Sequence, residues 1–333
     1  MTMRRREFIG LASGAAVGWS LAASAQPARK LPVIGFLHPG FPDNPGLSRL
    51  LAFDNLKAGL RQAGHVDGET IRIEARFGLG KPETLARFAE ELVRIKVDVL
   101  VVAARPAIEA AKAATRDIPI IALDLESDPV ASGYVASLAV PGGNITGLFL
   151  DAPSLAAKWL QQVREVVLDA RKMAVLWDAN TGEYQLRALS AAVKTMSVDV
   201  QVIEFRNSAE MEPALIRGLK EGPQALIQLG SPLIQQLSNR IADICATHRM
   251  PAVSMFRSFP DSGGLMSYGP VLSAWYQLLG TRYVDAILKG ARAADLAVDR
   301  PTRFEMVLNA KAATAMGLKI PVNLLAQADE VIE

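Results

Sequence analysis

Cysteine occurs once in the 333 residues, at Cys245, so the chain can form no internal disulfide and no multi-cysteine metal site. Cys245 falls in a helical pattern with Ile241, Ile244 and His248 and reads as a small buried apolar residue. Histidine is nearly as scarce. His38, His65 and His248 are scattered, with no carboxylate or cysteine near any two of them at ligand spacing, so no metal is expected. The chain also lacks G-x-S-x-G, H-E-x-x-H, C-x-x-C and G-x-x-x-x-G-K-[ST], the local signatures of hydrolysis, thiol redox chemistry and phosphate binding. The dinucleotide fingerprint is missing after the first strand, where Pro39 stands at the expected helix start, and Gly78-Leu79-Gly80 lacks the third glycine. These absences predict a protein without cofactor and without enzymatic chemistry. They leave binding as the simpler role.

Long apolar runs are absent too. The stretch Ile9 to Ala22 is shorter than the roughly 20 residues of a membrane-spanning helix. It follows Arg4, Arg5 and Arg6 and precedes Ala23-Ser24-Ala25, which is the layout of an export signal cleaved before Gln26. The paired arginines followed by Glu7-Phe8-Ile9 resemble the twin-arginine type, with an ordinary Sec signal as the alternative. A periplasmic location is expected, with no membrane insertion of the mature chain. Net charge is small, at +2, and the excess belongs to the signal: beyond residue 25 basic and acidic residues are equal in number. That balance gives no electrostatic reason to expect nucleic acid as a partner.

The rest of the chain alternates apolar strands with amphipathic helices, and it does so twice. The first pass reads as strand 33–37, helix 47–63, strand 70–76, a helix opened by Pro82, strand 97–104, helix 106–115 and strand 118–123. The second reads as strand 173–177, helix 183–196, strand 200–205, helix 209–220, strand 225–229, helix 233–248 and strand 251–256. Strands alternating with helices imply two α/β lobes with doubly wound parallel sheets. Between the passes, Val135 to Val140 reads as a strand, and Pro141-Gly142-Gly143-Asn144 as a tight turn rather than an anion cradle.

Several segments carry a family resemblance. They are 56–64 (LKAGLRQAG), 91–100 (ELVRIKVDVL), 128–133 (DPVASG), 141–147 (PGGNITG), 263–270 (GGLMSYGP), 283–290 (YVDAILKG), 301–309 (PTRFEMVLN) and 328–332 (ADEVI). In these the chain resembles the periplasmic substrate-binding proteins of ABC transporters with the type I two-lobe fold, in particular the tryptophan/tyrosine-receptor-like group. The resemblance implies three crossings between lobes, with residues 26–147 plus 263–299 in the first lobe and 148–262 plus 300–333 in the second. It also implies a monomeric receptor that closes by a hinge around a small organic solute, an amino acid or an aromatic or branched carboxylate. The partners it implies are a permease and a separate ATPase subunit.

Ligands of open parallel sheets bind outside the carboxyl ends of the strands. That rule nominates His38, Arg105, Pro106, Asp124 and Glu126 from the first lobe, and Trp177, Thr181, Tyr184, Ser231 and Phe256 from the second, with Tyr268 at a return crossing. Arg105 stands where resembling proteins often carry a hydroxyl, and it could grip a carboxylate bidentately or pair with Glu109 one turn on. Asp124 and Glu126 share one side of an extended segment and could hold an ammonium group or face solvent, and Asp128 before Pro129 reads as a helix N-cap. A ligand-sensing input protein for a signalling partner fits the same letters, and an enzyme on this scaffold fits them less well.

Overall fold

Runs that are apolar on both faces become central strands, because only a strand covered by helices on both sides can bury every side chain. The computed structural model describes residues 30–40, 50–168, 170–194, 196 and 198–333; the expected export signal lies outside them. Within these residues the first sheet contains β1 (Val33–His38), β2 (Arg72–Phe77), β3 (Val99–Ala103), β4 (Ile120–Asp124) and β5 (Ile145–Phe149), in the order β2-β1-β3-β4-β5. All of its pairings are parallel. The helices Pro82–Arg94 and Arg105–Ala114 cover one face through Leu85, Leu92 and Ile108. The other face packs against the helix Asn55–Gln62 and against a chain segment that returns much later.

The second sheet comprises β6 (Lys172–Asp178), β7 (Asp199–Phe205), β8 (Ala225–Gln228), β9 (Ala252–Ser254), β10 (Met266–Pro270), β11 (Phe304–Asn309) and β12 (Glu330–Ile332). Its order is β12-β11-β10-β9-β8-β6-β7. The stretch β7-β6-β8-β9-β10 repeats the winding of the first sheet, so the two passes legible in the sequence become two doubly wound lobes. β11 runs antiparallel to β10, which adds one reversed pairing to the parallel pattern.

The return segment is helical from Leu272 to Leu288, with a π-helical stretch at Leu279–Val284. It docks on Asn55–Gln62 through a glycine pair. A Cβ on Gly59 would lie 2.2 Å from the Gln277 carbonyl oxygen, and one on Gly280 would lie 2.6 Å from the Leu60 nitrogen, so only glycine permits this approach. The chain crosses between the lobes after β5, after β10 and before β11. These strands of the hinge touch: Phe149 N–H donates to Asp299 O at 3.0 Å, and Val271 N–H donates to Arg303 O at 3.2 Å.

The expected layout differs from the observed one in identifiable places. Val135–Val140 forms bends and coil, not a strand; the fifth strand is β5, which follows the Pro141–Asn144 turn. Met266–Pro270, expected with the first lobe, is β10 of the second sheet, so the crossing falls at Val271. The expected helix 233–248 is two helices, Pro232–Gln236 and Ser238–Thr247, with the Ser238 hydroxyl donating back to Gln235 O at 2.8 Å where they meet. Asp128 caps a turn: its Oδ1 accepts from Val130 N–H and Ala131 N–H, but no helix follows.

Candidate functional site

In a sheet wound in this order, the loops leaving the first and third strands part in opposite directions and open a crevice. Here two such crevices meet. Loops after β1 and β3 bring His38 and Ala104–Pro106 from the first lobe; loops after β6 and β8 bring Asp178–Thr181 and Gly230–Pro232 from the second. Between them lies an inner cavity with about 340 Å³ of space outside protein atoms. His38, Leu123, Leu125 and Glu126 line it from the first lobe, Pro232, Gln235 and Phe256 from the second, and Leu272 and Tyr276 from the return helix. A second, outer cavity at the mouth of the cleft is lined by Pro106, Asp178, Thr181 and Pro232 among others.

The polar groups of the inner cavity are buried and incompletely paired. His38 is 7 % exposed and stacks on Phe36. Its Nδ1 accepts the Gly40 N–H at 3.0 Å, and burial pushes its pKa down to about 4, so the ring is neutral with its proton on Nε2. The Tyr276 hydroxyl makes no hydrogen bond to a described residue, and burial, with the Glu126 carboxylate nearby, raises its pKa. Glu126 Oε2 accepts the Arg105 N–H at 3.0 Å, at the first turn of the helix Arg105–Ala114. The helix end favours the ionised form, yet burial and then the Asp124 charge raise the Glu126 pKa well above the usual carboxylate range.

Asp124 is fully buried behind this wall, not on it. Its Oδ1 accepts the Glu126 N–H at 2.8 Å, while Oδ2 and the neighbouring Ser127 hydroxyl have no hydrogen-bond partner among the described residues. Burial pushes its pKa up to about 6, against the lowering influence of the Glu126 N–H and the Arg105 charge. Asp178 is a third acid at the cleft. Burial raises its pKa although Asn180 donates to its Oδ1 from both backbone and side chain.

Arg105 does not make the pair expected on its own helix. It has no ion pair with Glu109 among the described residues; Glu109 instead accepts the Tyr134 hydroxyl at 2.6 Å. Arg105 Nη1 crosses the cleft and donates to Thr181 O at 3.3 Å, at the end of a short 3₁₀ turn, Ala179–Thr181. The guanidinium lies against Gly182, where an added Cβ would fall 1.6 Å from Nη1. Gln185 makes the companion contact: its Nε2 donates to Leu125 O of the first lobe at 2.8 Å and to Gly230 O of the second at 2.9 Å. These crossing bonds hold the lobes together over the inner cavity.

The backbone just before Arg105 is strained. Ala104 has φ 64° and ψ 152°, a region tenanted almost only by glycine, at a cost of about 1–3 kcal/mol. This conformation starts the helix so that Arg105 N–H meets Glu126. Ala104→Gly is therefore expected to raise the unfolding free energy by about 1 kcal/mol, measured by urea denaturation, and Ala104→Val to lower it.

The other nominated residues divide into three groups. Pro106 and Thr181 line the outer cavity, and Phe256 lines the inner one. Trp177 and Ser231 act one step back: Trp177 Nε1 donates to Gly182 O at 3.0 Å, and the Ser231 hydroxyl caps Ile234 N–H at 2.9 Å. Tyr184 and Tyr268 lie elsewhere. Tyr184 is half-buried near Arg300 at the crossing, and Tyr268 stacks on Phe304 at 5.6 Å, on the face of β10 away from the cleft. Gln185, Gln235 and Tyr276 were not nominated. The return helix gave no strand end from which to infer Tyr276, but Gln185 sits one residue from Tyr184, and helical spacing could have raised it.

Comparison with known proteins gives consistent results. The family model described as "ABC transporter substrate binding protein" matches residues 45–332. A "Tyrosine-binding protein" of Clostridioides difficile (strain R20291) is 26% identical over 294 residues, covering 83% of this chain and 81% of that protein. The crystal structure of an ABC domain in complex with L-Trp from Streptococcus pneumonia superposes with a TM-score of 0.82 at 22% identity, covering 91% of this chain and 100% of that one. The ligand-free, open structure of a substrate-binding protein with adhesive properties from Clostridium difficile gives 0.64 at 22% identity, covering 91% and 99%.

Proposed function

This chain belongs to the family of ABC transporter substrate-binding proteins and has the two-lobed type I fold, and we propose that it is the periplasmic receptor of an importer for an aromatic amino acid. The observation that carries this reading is the inner cavity, where ring walls and unpaired polar groups converge inside closed lobes. Phe256 and Tyr276 offer faces to an aromatic side chain. His38 Nε2–H and the Tyr276 hydroxyl are donors for the carboxylate, and Glu126 is the acceptor for the ammonium. The tyrosine specificity named for the Clostridioides difficile relative supports the same solute class. A solute touching both lobes favours the closed form by its differential affinity, and that form is what a permease with its separate ATPase would engage.

Isothermal titration with L-tyrosine, L-tryptophan and 3-(4-hydroxyphenyl)propionate tests the assignment. At least one amino acid is expected to bind in the micromolar range or tighter, and the deaminated acid about 100-fold more weakly because it leaves Glu126 without a partner. Since the Glu126 pKa is raised in the empty cavity, an ammonium must ionise it, so binding should release protons and weaken as pH falls. Absence of heat with every aromatic amino acid defeats the reading.

A further inference from the structure

The inner cavity does not end the cleft. Phe256, Leu272 and Gln235 form one of its walls, and on the far side of the same three residues a third cavity opens, with about 570 Å³ of space outside protein atoms. It lies where β10 passes into the return helix, so both lobes wall it. Strand alternation turns Ser267 toward it, and Gly269 stays bare because an added Cβ would sit 2.0 Å from Met255 O. Ser267 is 2 % exposed, yet its hydroxyl makes no hydrogen bond to a described residue. The Gln235 side-chain amide, at the junction of the two cavities, is equally without a partner among the described residues. Both groups face the cavity and are free to pair with a polar group that enters it.

The charges specify what visits. Arg257 is enclosed by acids: its Nη1 donates to Glu305 at 2.9 Å, Nη2 to Glu330 at 3.0 Å and Nε to Asp261 at 3.2 Å. Arg257 and Glu305 both line the cavity, and with Asp261 and Glu330 behind them this group of one cation and three carboxylates carries an excess of negative charge. We propose that the cleft admits an aromatic amino acid extended by an ammonium-bearing residue, that is, a short cationic peptide. The aromatic part would lie in the inner cavity and the extension would pass Gln235 to Ser267 and Glu305. This rests on the reading of the inner cavity as an aromatic amino-acid site.

Titration of the purified protein with L-tyrosine and with the dipeptides Tyr-Lys, Lys-Tyr and Tyr-Glu decides it. At least one lysyl dipeptide should bind within about tenfold of tyrosine, and Tyr-Glu about tenfold or more below that dipeptide. Ser273→Trp, on the partly exposed rim of the third cavity, should abolish dipeptide binding and leave tyrosine affinity unchanged, which also reports intact folding. Glu305→Gln should shrink the lysyl-over-glutamyl preference by about threefold or more. Tyrosine binding without any dipeptide binding overturns the inference alone, as does a Ser273→Trp variant that affects both ligands equally. Failure of tyrosine, tryptophan and the dipeptides together overturns the amino-acid reading and this inference with it.

Discussion

Gly182→Ala is expected to weaken solute binding by about 100-fold while the protein still folds, and Arg105→Ala in the same chain is expected to recover most of that loss. Two effects of the added methyl must be separated. One is local: Gly182 has φ 78° and ψ −178°, which an alanine adopts only under strain of about 1–3 kcal/mol. That cost falls on folding and is present whether the lobes are open or closed. The other exists only when they close, because the methyl would stand 1.6 Å from Arg105 Nη1. The guanidinium must then leave Thr181 O, or the lobes must stop short. Arg105→Ala alone removes one crossing bond, part-buried and 3.3 Å long, and should cost binding about tenfold or less. In the double variant the collision is gone but the backbone strain remains. Affinity should therefore return to that of Arg105→Ala, while the denaturation midpoint stays as low as in Gly182→Ala. Equal affinity in Gly182→Ala and the double variant would show that Arg105 does not cross the cleft when solute is bound.

The assignment of Arg105 shows where sequence reasoning reached and where it stopped. The alternation of strand and helix, the buried strands and the loops that meet at the cleft were all legible, because side-chain periodicity reports directly on which face is buried. His38, Glu126, Thr181 and Phe256 reach the cleft for that reason. What periodicity does not encode is direction within a loop. Arg105 follows a residue with positive φ, and that turn sends its side chain over the cleft rather than along its own helix toward Glu109. Tyr268 failed by a single position: in a strand of period two, its neighbours Ser267 and Gly269 take the cavity side. Val135–Val140 has strand composition, but the turn from Asp128 to Val135 and the exposed Val140 keep it out of the sheet, and Ile145–Phe149 takes the sheet edge position instead. Tyr276 lies more than a hundred residues after the first lobe's last strand, so only the glycine-mediated docking of the return helix brings it to the cleft.

Replacing Asp124 with asparagine should stabilise the solute-free protein above neutral pH, which is the reverse of what removing a paired carboxylate does. Asp124 is fully buried, with Oδ2 unpaired, and its pKa is pushed up to about 6 from an ordinary value of 3.8. A carboxyl whose pKa is higher in the folded than in the unfolded chain favours folding most when it is protonated. Its contribution is complete below about pH 4, declines as the unfolded chain begins to ionise, and is lost as pH rises through about 6. Glu126 and Asp178 shift in the same direction, and each charge formed raises the cost of the next. The wild-type protein should thus lose stability as pH rises from about 3 to 7, on the order of 3 kcal/mol in all from Asp124, of which about half falls between pH 5 and pH 8. Asp124→Asn keeps the shape, and its amide oxygen can still accept the Glu126 N–H seen at 2.8 Å, so urea denaturation of the variant should show a shallower pH slope and a higher midpoint at pH 8. Adding an amino acid that binds should narrow the difference between the two proteins, because its ammonium compensates the same acids that burial leaves unpaired. Identical slopes with and without the carboxyl would mean that Asp124 is ionised in a pair throughout this range, and that Glu126 and Asp178 alone carry the pH dependence of the cleft.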